Sequence, residues 1–208
     1  MLAVSSDDAR YLETSFPQSR VIYLPSFHHD DEVRILPGKG NYALYQGKLS
    51  VPENSLAAEF LITNIWEDSF PDLMIAGLDP PEWLNRLALQ RPNIHIVQNP
   101  SDNEMFRLIR EAQVNIMVSF QATGLKLKLL NALYSGRFCL VNRDMVAGTS
   151  LSELCTIANT PAELKMELQH LFTMEFTHSH IINRESVLQK HYSNQNNCKL
   201  LLEILTLR

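Results

Sequence analysis

From Asn41 onward, short apolar runs alternate with longer segments whose apolar residues recur every three or four positions. The short runs fit strands and the longer segments fit amphipathic helices. YALYQG (42–47) is a strand ending in glycine, SLAAEFLITNIW (55–66) a helix, and LMIAG (73–77) a second strand ending in glycine. PPEWLNRLALQ (80–90) is a helix with proline near its start, IHIVQ (94–98) a strand, and SDNEMFRLIREA (101–112) a helix. VNIMVSF (114–120) is a strand, LKLKLLNALYSG (125–136) a helix closed by Gly136, and FCLVN (138–142) a strand. LSEL (151–154) is a short helix, CTIA (155–158) a last strand, and PAELKMELQHLF (161–172) a helix that again starts with proline. Ser101 with Glu104, and Ser150 with Glu153, have the spacing of capping boxes. Trp66 and Trp83 fall at core-like helical positions and read as packing residues.

Six short strands separated by helices predict an α/β domain with a doubly wound, Rossmann-like parallel sheet, helices covering both faces. Ligands of such a sheet gather at the carboxyl ends of the strands. Residues 1–37 read differently. DARYLETSF suggests a short helix and VIYL (21–24) a strand, and a lone strand needs a sheet to bury both its faces. The expected organisation is therefore an amino-terminal remnant and linker (1–37), the Rossmann-like domain (38–176) and a helical carboxyl-terminal segment (177–208).

Composition narrows the function classes. A net charge of -5, with no basic block to offset it, argues against broad nucleic-acid affinity. Three cysteines in 208 residues are too sparse for a disulfide framework, and Cys139 and Cys155 sit in apolar stretches as small core residues. There is no apolar run near the length of a membrane span and no basic segment leading into one, so a cytoplasmic setting is expected, compatible with peripheral attachment to a membrane.

The segment FQATGLKLKLLNALYSGRFCLVN (120–142) carries the most chemistry. Thr123, Gly124, Leu125 and Lys126 follow a strand and open a helix, where unpaired amides and the helix dipole favour an anion. Gly124 allows a tight turn, and the Lys126 ammonium can meet a diphosphate there. Lysines at a helix start are unfavourable unless something offsets them, although a solvated helix face is the alternative. Lys128 points away or fixes the helix to another element. Asn131, further along, has an amide suited to a sugar diol or to a structural role. Gly47 and Lys48 close the first regular strand, giving backbone approach and a second positive charge, or a simple turn. Gly77 ends the next strand in the same way. Backbone groups between Val97, Asn99 and Ser101 can read a base edge, or form a loop with a helix cap. No GxGxxG follows any strand, which disfavours an NAD enzyme. His28, His29, Asp30 and Asp31 are adjacent and point in different directions, so no metal is expected. No nucleophile with a positioned base and no defensible acid–base carboxylate pair is apparent.

Three stretches, YQGKLSVPEN, NPSDNEMFRLIREAQVNIMVSFQATGLKLKLLNALYSG and RFCLVN, resemble the carboxyl-terminal domain of retaining glycosyltransferases of the two-Rossmann-domain (GT-B) type, in the large family 4. The resemblance covers roughly Asn41 to Phe172. It implies one half of a GT-B fold that binds a nucleoside-diphosphate sugar, most simply a UDP- or GDP-sugar, with no permanently bound cofactor. Transfer would be to an acceptor hydroxyl, on a glycan or lipid-linked acceptor, in polysaccharide biosynthesis. The turn from Thr123 to Lys126 would hold diphosphate and sugar, Asn131 would face the ribose, Lys48 would contact phosphate, and the loop after Val97 would border the base. Lys48 and Lys126 would act in catalysis by stabilising the departing nucleoside diphosphate. The partner domain that completes the cleft would lie outside this chain, and the chain alone would transfer little or nothing.

The sequence departs from the family pattern at three places. Where the family carries two glutamates eight positions apart, this chain has Thr123 and Asn131, and Glu53 stands where many members carry a phosphate-binding lysine. These departures favour a second reading, a non-catalytic scaffold domain of the same fold; a further alternative is another phosphate-binding α/β domain, such as a sugar-nucleotide epimerase of the same architecture.

Overall fold

The computed structural model describes residues 1–121 and 127–206. The amino-terminal segment forms β1 (Leu2–Ala3), α1 (Ser6–Ser15) and β2 (Ile22–Tyr23). The strand expected to stand alone has a partner: β1 and β2 pair in parallel, Leu2 opposite Ile22. α1 is capped by Ser5, whose hydroxyl accepts from the Asp8 amide at 3.0 Å.

The domain that follows has β3 (Tyr42–Gln46), α2 (Pro52–Phe60), β4 (Asp72–Gly77), α3 (Glu82–Ala88), β5 (Ile94–Gln98) and α4 (Asp102–Glu111). Next come β6 (Val114–Met117), α5 (Leu127–Ser135), β7 (Phe138–Val141), the short α6 (Arg143–Val146), a 3₁₀ turn (Ser152–Leu154) and β8 (Thr156–Ile157). α7 (Pro161–Thr173), α8 (His178–Tyr192) and α9 (Asn194–Thr206) close the chain. The six strands β5-β4-β3-β6-β7-β8 are all parallel, with β3 and β6 adjacent at the centre. This is the doubly wound sheet that the alternation of strands and helices predicts.

Side chains alternate between two cores, as a strand period of two requires. Ala43, Tyr45, Leu73, Ile75, Ile116 and Leu140 face one core, which α2, α3 and α7 cover with Ala58, Leu84 and Leu168. Leu44, Ala76, Met117, Cys139 and Val141 face the other, under Ile109 of α4, Leu133 of α5 and Leu188 of α8.

Several local expectations are corrected. The helix expected at 55–66 starts earlier, at Pro52, and its end widens into a π-turn over Leu61–Ile65. That turn carries Trp66 inward, where its indole donates to Pro71 O at 2.9 Å. Trp83 is not a core residue; it stands 39% exposed on α3. Ser101 does cap α4 through the Glu104 amide, at 3.3 Å. Ser150 caps nothing: the turn starts after Leu151, and the Ser150 amide donates to the Tyr192 hydroxyl at 3.2 Å. A capping box closes instead between Thr160 and Glu163 at the start of α7.

Two buried arginines finish helices. Arg137 Nη1 is shared among the carbonyls of Arg110, Glu111 and Ala112 at 2.8–3.1 Å, at the end of α4. Arg184 Nη1 reaches Gly136 O at 2.6 Å and Leu133 O at 3.4 Å, at the end of α5, with its guanidinium 4.9 Å from the Phe176 ring centroid. Helix carboxyl ends carry unpaired carbonyls and partial negative charge, so a buried cation is tolerated there. Replacing Arg184 with methionine keeps the volume and removes the donor. We expect Arg184→Met to lower unfolding free energy by about 2–3 kcal/mol, the value of a hydrogen bond to a charged group, in urea titration. Unchanged stability would show that α5 does not need this cap.

Candidate functional site

The strand order places the topological switch between β3 and β6. Connections from β3 run to one face through α2, and those from β6 run to the other through α5. The loops at their carboxyl ends therefore diverge and leave a crevice, the usual ligand position in this topology. β3 brings Tyr45, Gln46, Gly47 and Lys48 to it; α2 brings Glu53 and Asn54; β6 leads to Ser119; α5 brings Lys128.

These groups are joined across the crevice. Asn54 is central: its carbonyl accepts from the Tyr45 hydroxyl at 3.0 Å, and its side-chain amide donates to Lys48 O at 3.0 Å. Its Oδ1 accepts from Lys128 Nζ at 3.2 Å. That ammonium also lies 5.3 Å from the centroid of the Tyr45 ring. Gln46 Nε2 reaches Lys128 O at 3.4 Å. On the neighbouring side, Ser119 Oγ donates to Glu53 Oε1 at 3.1 Å. Asn142, just past β7, holds the Ser119 loop by accepting from its amide at 3.0 Å and donating to its carbonyl at 2.6 Å. Burial, with the Glu53 charge beside it, pushes the Tyr45 phenol up and keeps it neutral.

Each residue expected at the site has a definite place or lies outside the described residues. Lys48 is exposed at the rim, next to Gly47. Gly77 is explained by packing: a Cβ there would overlap the Gly47 carbonyl, so β3 and β4 can end side by side because that position is glycine. Asn99 adopts a φ of 50°, and it ties two loops together, donating its amide to Gly77 O at 2.9 Å and accepting the Asp79 amide on Oδ1 at 2.8 Å. Val97 packs partly buried on the α4 side of the sheet. Thr123, Gly124, Leu125 and Lys126 lie outside the described residues. The lysine seen in the crevice is Lys128. Sequence reasoning gave it less weight than Lys126, which lies outside the described residues. Asn54, Ser119 and Asn142 were missed, since an isolated polar residue after a strand carries no distinctive signal.

Asn131 is not at the crevice floor. It lies with Leu127 on the flank of α5, where they line a cavity of about 380 Å³ with Phe27, His28 and His29. Residues 27–31 form a strap across α5. The His28 ring meets Tyr134 at a tilt of 40°, centroids 4.5 Å apart, and the His29 ring meets Phe106 of α4 at 41° and 5.3 Å. Asn194 clamps the strap from α9, donating to His28 O at 2.8 Å and Asp31 Oδ1 at 2.9 Å and accepting the His28 amide at 3.2 Å. Among the described residues, no cluster of three or more histidine, cysteine or acidic side chains could hold a metal.

No protein-family model and no curated protein matches this chain in sequence. Solved structures do match. A glycosyltransferase from Rickettsia africae superposes with a TM-score of 0.73 at 12% identity, over 98% of this chain and 62% of that one. A UDP-forming α,α-trehalose-phosphate synthase from Burkholderia xenovorans gives 0.67 at 10% identity, over 99% and 60%. A variant of S. aureus TarM in complex with fondaparinux, α-GlcNAc-glycerol and UDP gives 0.73 at 12% identity, over 99% and 43%. The fold is thus the Rossmann-like half of a GT-B fold, the architecture of these glycosyltransferases. The chain spans between 43% and 62% of the length of these solved chains.

The strap also contains Asp30, which is 8% exposed. Burial pushes its carboxyl above the usual range, against the opposing fields of His29, His28 and Arg34. A raised folded-state value means that the fold favours the protonated acid. Stability is therefore full below the ordinary carboxylate value and is lost as pH rises through the folded one. Asp30→Asn escapes this loss. Its melting temperature should exceed that of the parent near pH 7, and the gain should vanish near pH 3, where both side chains are neutral. A gain that does not depend on pH would refute the account.

Proposed function

We propose that the chain is the donor-binding domain of a retaining glycosyltransferase of the family 4 kind, taking a nucleoside-diphosphate sugar in the crevice between β3 and β6. The observation that carries this reading is the Lys128 ammonium at the switch point, held by Asn54 beside the Gly47–Lys48 strand end. In this fold the same region opens onto a helix start that favours phosphate. Lys48, Lys128 and Lys126 would neutralise the diphosphate as it departs, Gly47 and Gly124 would let it approach the backbone, and the loop from Val97 to Asn99 would border the base. Similarity to a fold solved with UDP supports UDP as the first nucleotide to try. Residues 1–37 belong, on this reading, to the hinge with an amino-terminal domain that brings the acceptor, a glycan or lipid-linked hydroxyl. Residues 38–176 are the donor domain and 177–208 the returning helices. A cytoplasmic enzyme working at or near a membrane fits this role, and the chain alone would transfer little or nothing.

One observation favours a second reading. The Glu53 carboxylate stands in the first turn of α2, bonded to Ser119, where it would repel a phosphate. A scaffold domain without donor affinity would tolerate this. Calorimetric titration of the purified chain with UDP, GDP and ADP separates the two. The donor reading expects one of them to bind, about tenfold more weakly in Lys128→Ala or Lys126→Ala and more tightly in Glu53→Gln. Absence of binding by all three would overturn it in favour of the scaffold.

A further inference from the structure

Another cavity, of about 380 Å³, lies at the amino ends of the strands, opposite the crevice. Phe138 and Thr156, the first residues of β7 and β8, line it together with residues from the end of α7 and the first turns of α8. Arg184, only 4% exposed, belongs to this lining. The fold uses one of its nitrogens, Nη1, on Gly136 O and Leu133 O. Nε and Nη2 have no hydrogen-bond partner among the described residues. They differ from Arg137 Nε, which is both unpartnered and sealed from solvent. The two Arg184 atoms are not sealed, so the little surface this side chain keeps includes them, and it opens on the cavity that the residue lines. In a planar guanidinium, Nε–H and one Nη2–H point the same way. They form a two-pronged edge that matches the two oxygens of a carboxylate.

Nothing within the fold neutralises this cation. No carboxylate pairs with Arg184 among the described residues. The thiols of Cys139 and Cys155 beside it stay protonated, because burial pushes both up. The guanidinium is held in place before anything binds, 4.9 Å from the Phe176 ring centroid, and His180 stacks on the same ring at 4.9 Å and 28°. His180 also lines the cavity and adds a neutral donor. Its Nδ1 accepts the Thr177 amide at 3.0 Å, so the neutral ring carries its proton on Nε2, which has no partner among the described residues. Phe138, Leu154 and Met174 give apolar walls. The lining also holds Glu153 and Glu167, both more open to water than Arg184. They oppose a second negative charge on a ligand, so the set suits a single carboxylate on an apolar body, not a phosphate or a nucleotide.

We propose that this cavity binds a small monocarboxylic acid, its carboxylate gripped side-on by Arg184 Nε and Nη2 and its apolar body lying against Phe138 and Leu154. The site shares no residue with the crevice between β3 and β6, so it stands or falls apart from the donor-domain reading.

The test is calorimetric titration of the purified chain with benzoate and hexanoate, with benzamide and inorganic phosphate as controls. Benzamide keeps the ring of benzoate and loses its charge. One of the two acids should bind, and both controls should bind at least about tenfold more weakly, the loss expected when a charged two-pronged contact is missing. Arg184→Lys keeps a cation at the end of α5 without the fork, and should weaken the acid about tenfold. Asn183, exposed on α8, also lines the cavity, so Asn183→Trp obstructs the site from its surface and gives the same loss if the arginine variant fails to fold. In the parent, the ¹⁵Nε resonance of Arg184 should move on addition of the acid and not of benzamide, which an arginine with a structural role alone would not show. Failure of both acids to bind overturns the proposal. So does binding of benzamide or phosphate as tight as that of the acids, or binding that leaves the Arg184 resonance where it was.

Discussion

A parallel sheet covered on both faces leaves almost no room for polar chemistry within its strands. Ala43 and Leu44, or Ile75 and Ala76, are neighbours in sequence yet are buried in opposite cores, so each must be apolar. Asn115 shows what an exception demands: it is fully buried in β6, and its amide donates to Ile109 O at 3.2 Å at the end of α4. Functional groups are therefore displaced to where the strands end. At the amino ends, Gln113 is spent on structure, since its side chain joins Gly40 to the end of α7. The carboxyl ends of β3 and β6 are different because their crossovers leave in opposite directions. The position of the crevice follows from the chain's path, and the residues that fill it are those that side-chain alternation releases from the core.

The same constraint explains why the ends of α4 and α5 carry arginine. The carbonyls at these ends are partly or wholly buried, and Arg137 and Arg184 supply the donors. Arg184 also ties α8 to α5, and α8 leads to Tyr192 and then to Asn194, which holds the strap. A line of contacts thus runs from the core of the sheet to the cavity at His28. The carboxyl-terminal helices and the amino-terminal segment meet there, although more than 160 residues separate His28 from Asn194 in the chain.

Much of this was legible from residue order. The strand–helix alternation gave the doubly wound sheet, because apolar runs of four to six residues cannot be buried on both faces in any simpler way. Ser101 was readable as a cap, since capping is local and its partner lies three residues away. Ser150 and Glu153 had the same spacing and failed, because the Ser150 amide is taken by a tyrosine forty-two residues distant. Trp83 misled for a related reason: helical spacing gives an apolar side only when its neighbours agree, and Glu82 and Arg86 turn that side to water, where they pair at 3.4 Å. β1 went unseen because a two-residue strand has no period to detect. At the site, glycines at strand ends were visible, whereas the Asn54 hub and the His28 strap exist only through partners distant in sequence.

Glu53 brings these threads together. Read alone, a carboxylate where phosphate is expected argues against binding. In the folded chain it occupies the first turn of α2, where helix amides favour an anion, and its Oε1 is bonded to Ser119. Across the same crevice Asn54 holds Lys128. The chain thus brings to its switch point both an anion at a helix start and a cation facing it, with side-chain amides and hydroxyls arranging the two. A diphosphate entering this crevice would meet an electrostatic niche already built for negative charge. It would compete with Glu53 for that niche, not with empty solvent. Whether the phosphate displaces the carboxylate depends on how firmly Ser119 holds it, and Asn142 fixes Ser119 through two backbone hydrogen bonds. On the donor-domain reading, the affinity of the site would depend on the loop after β7, which holds Ser119, as well as on the lysines.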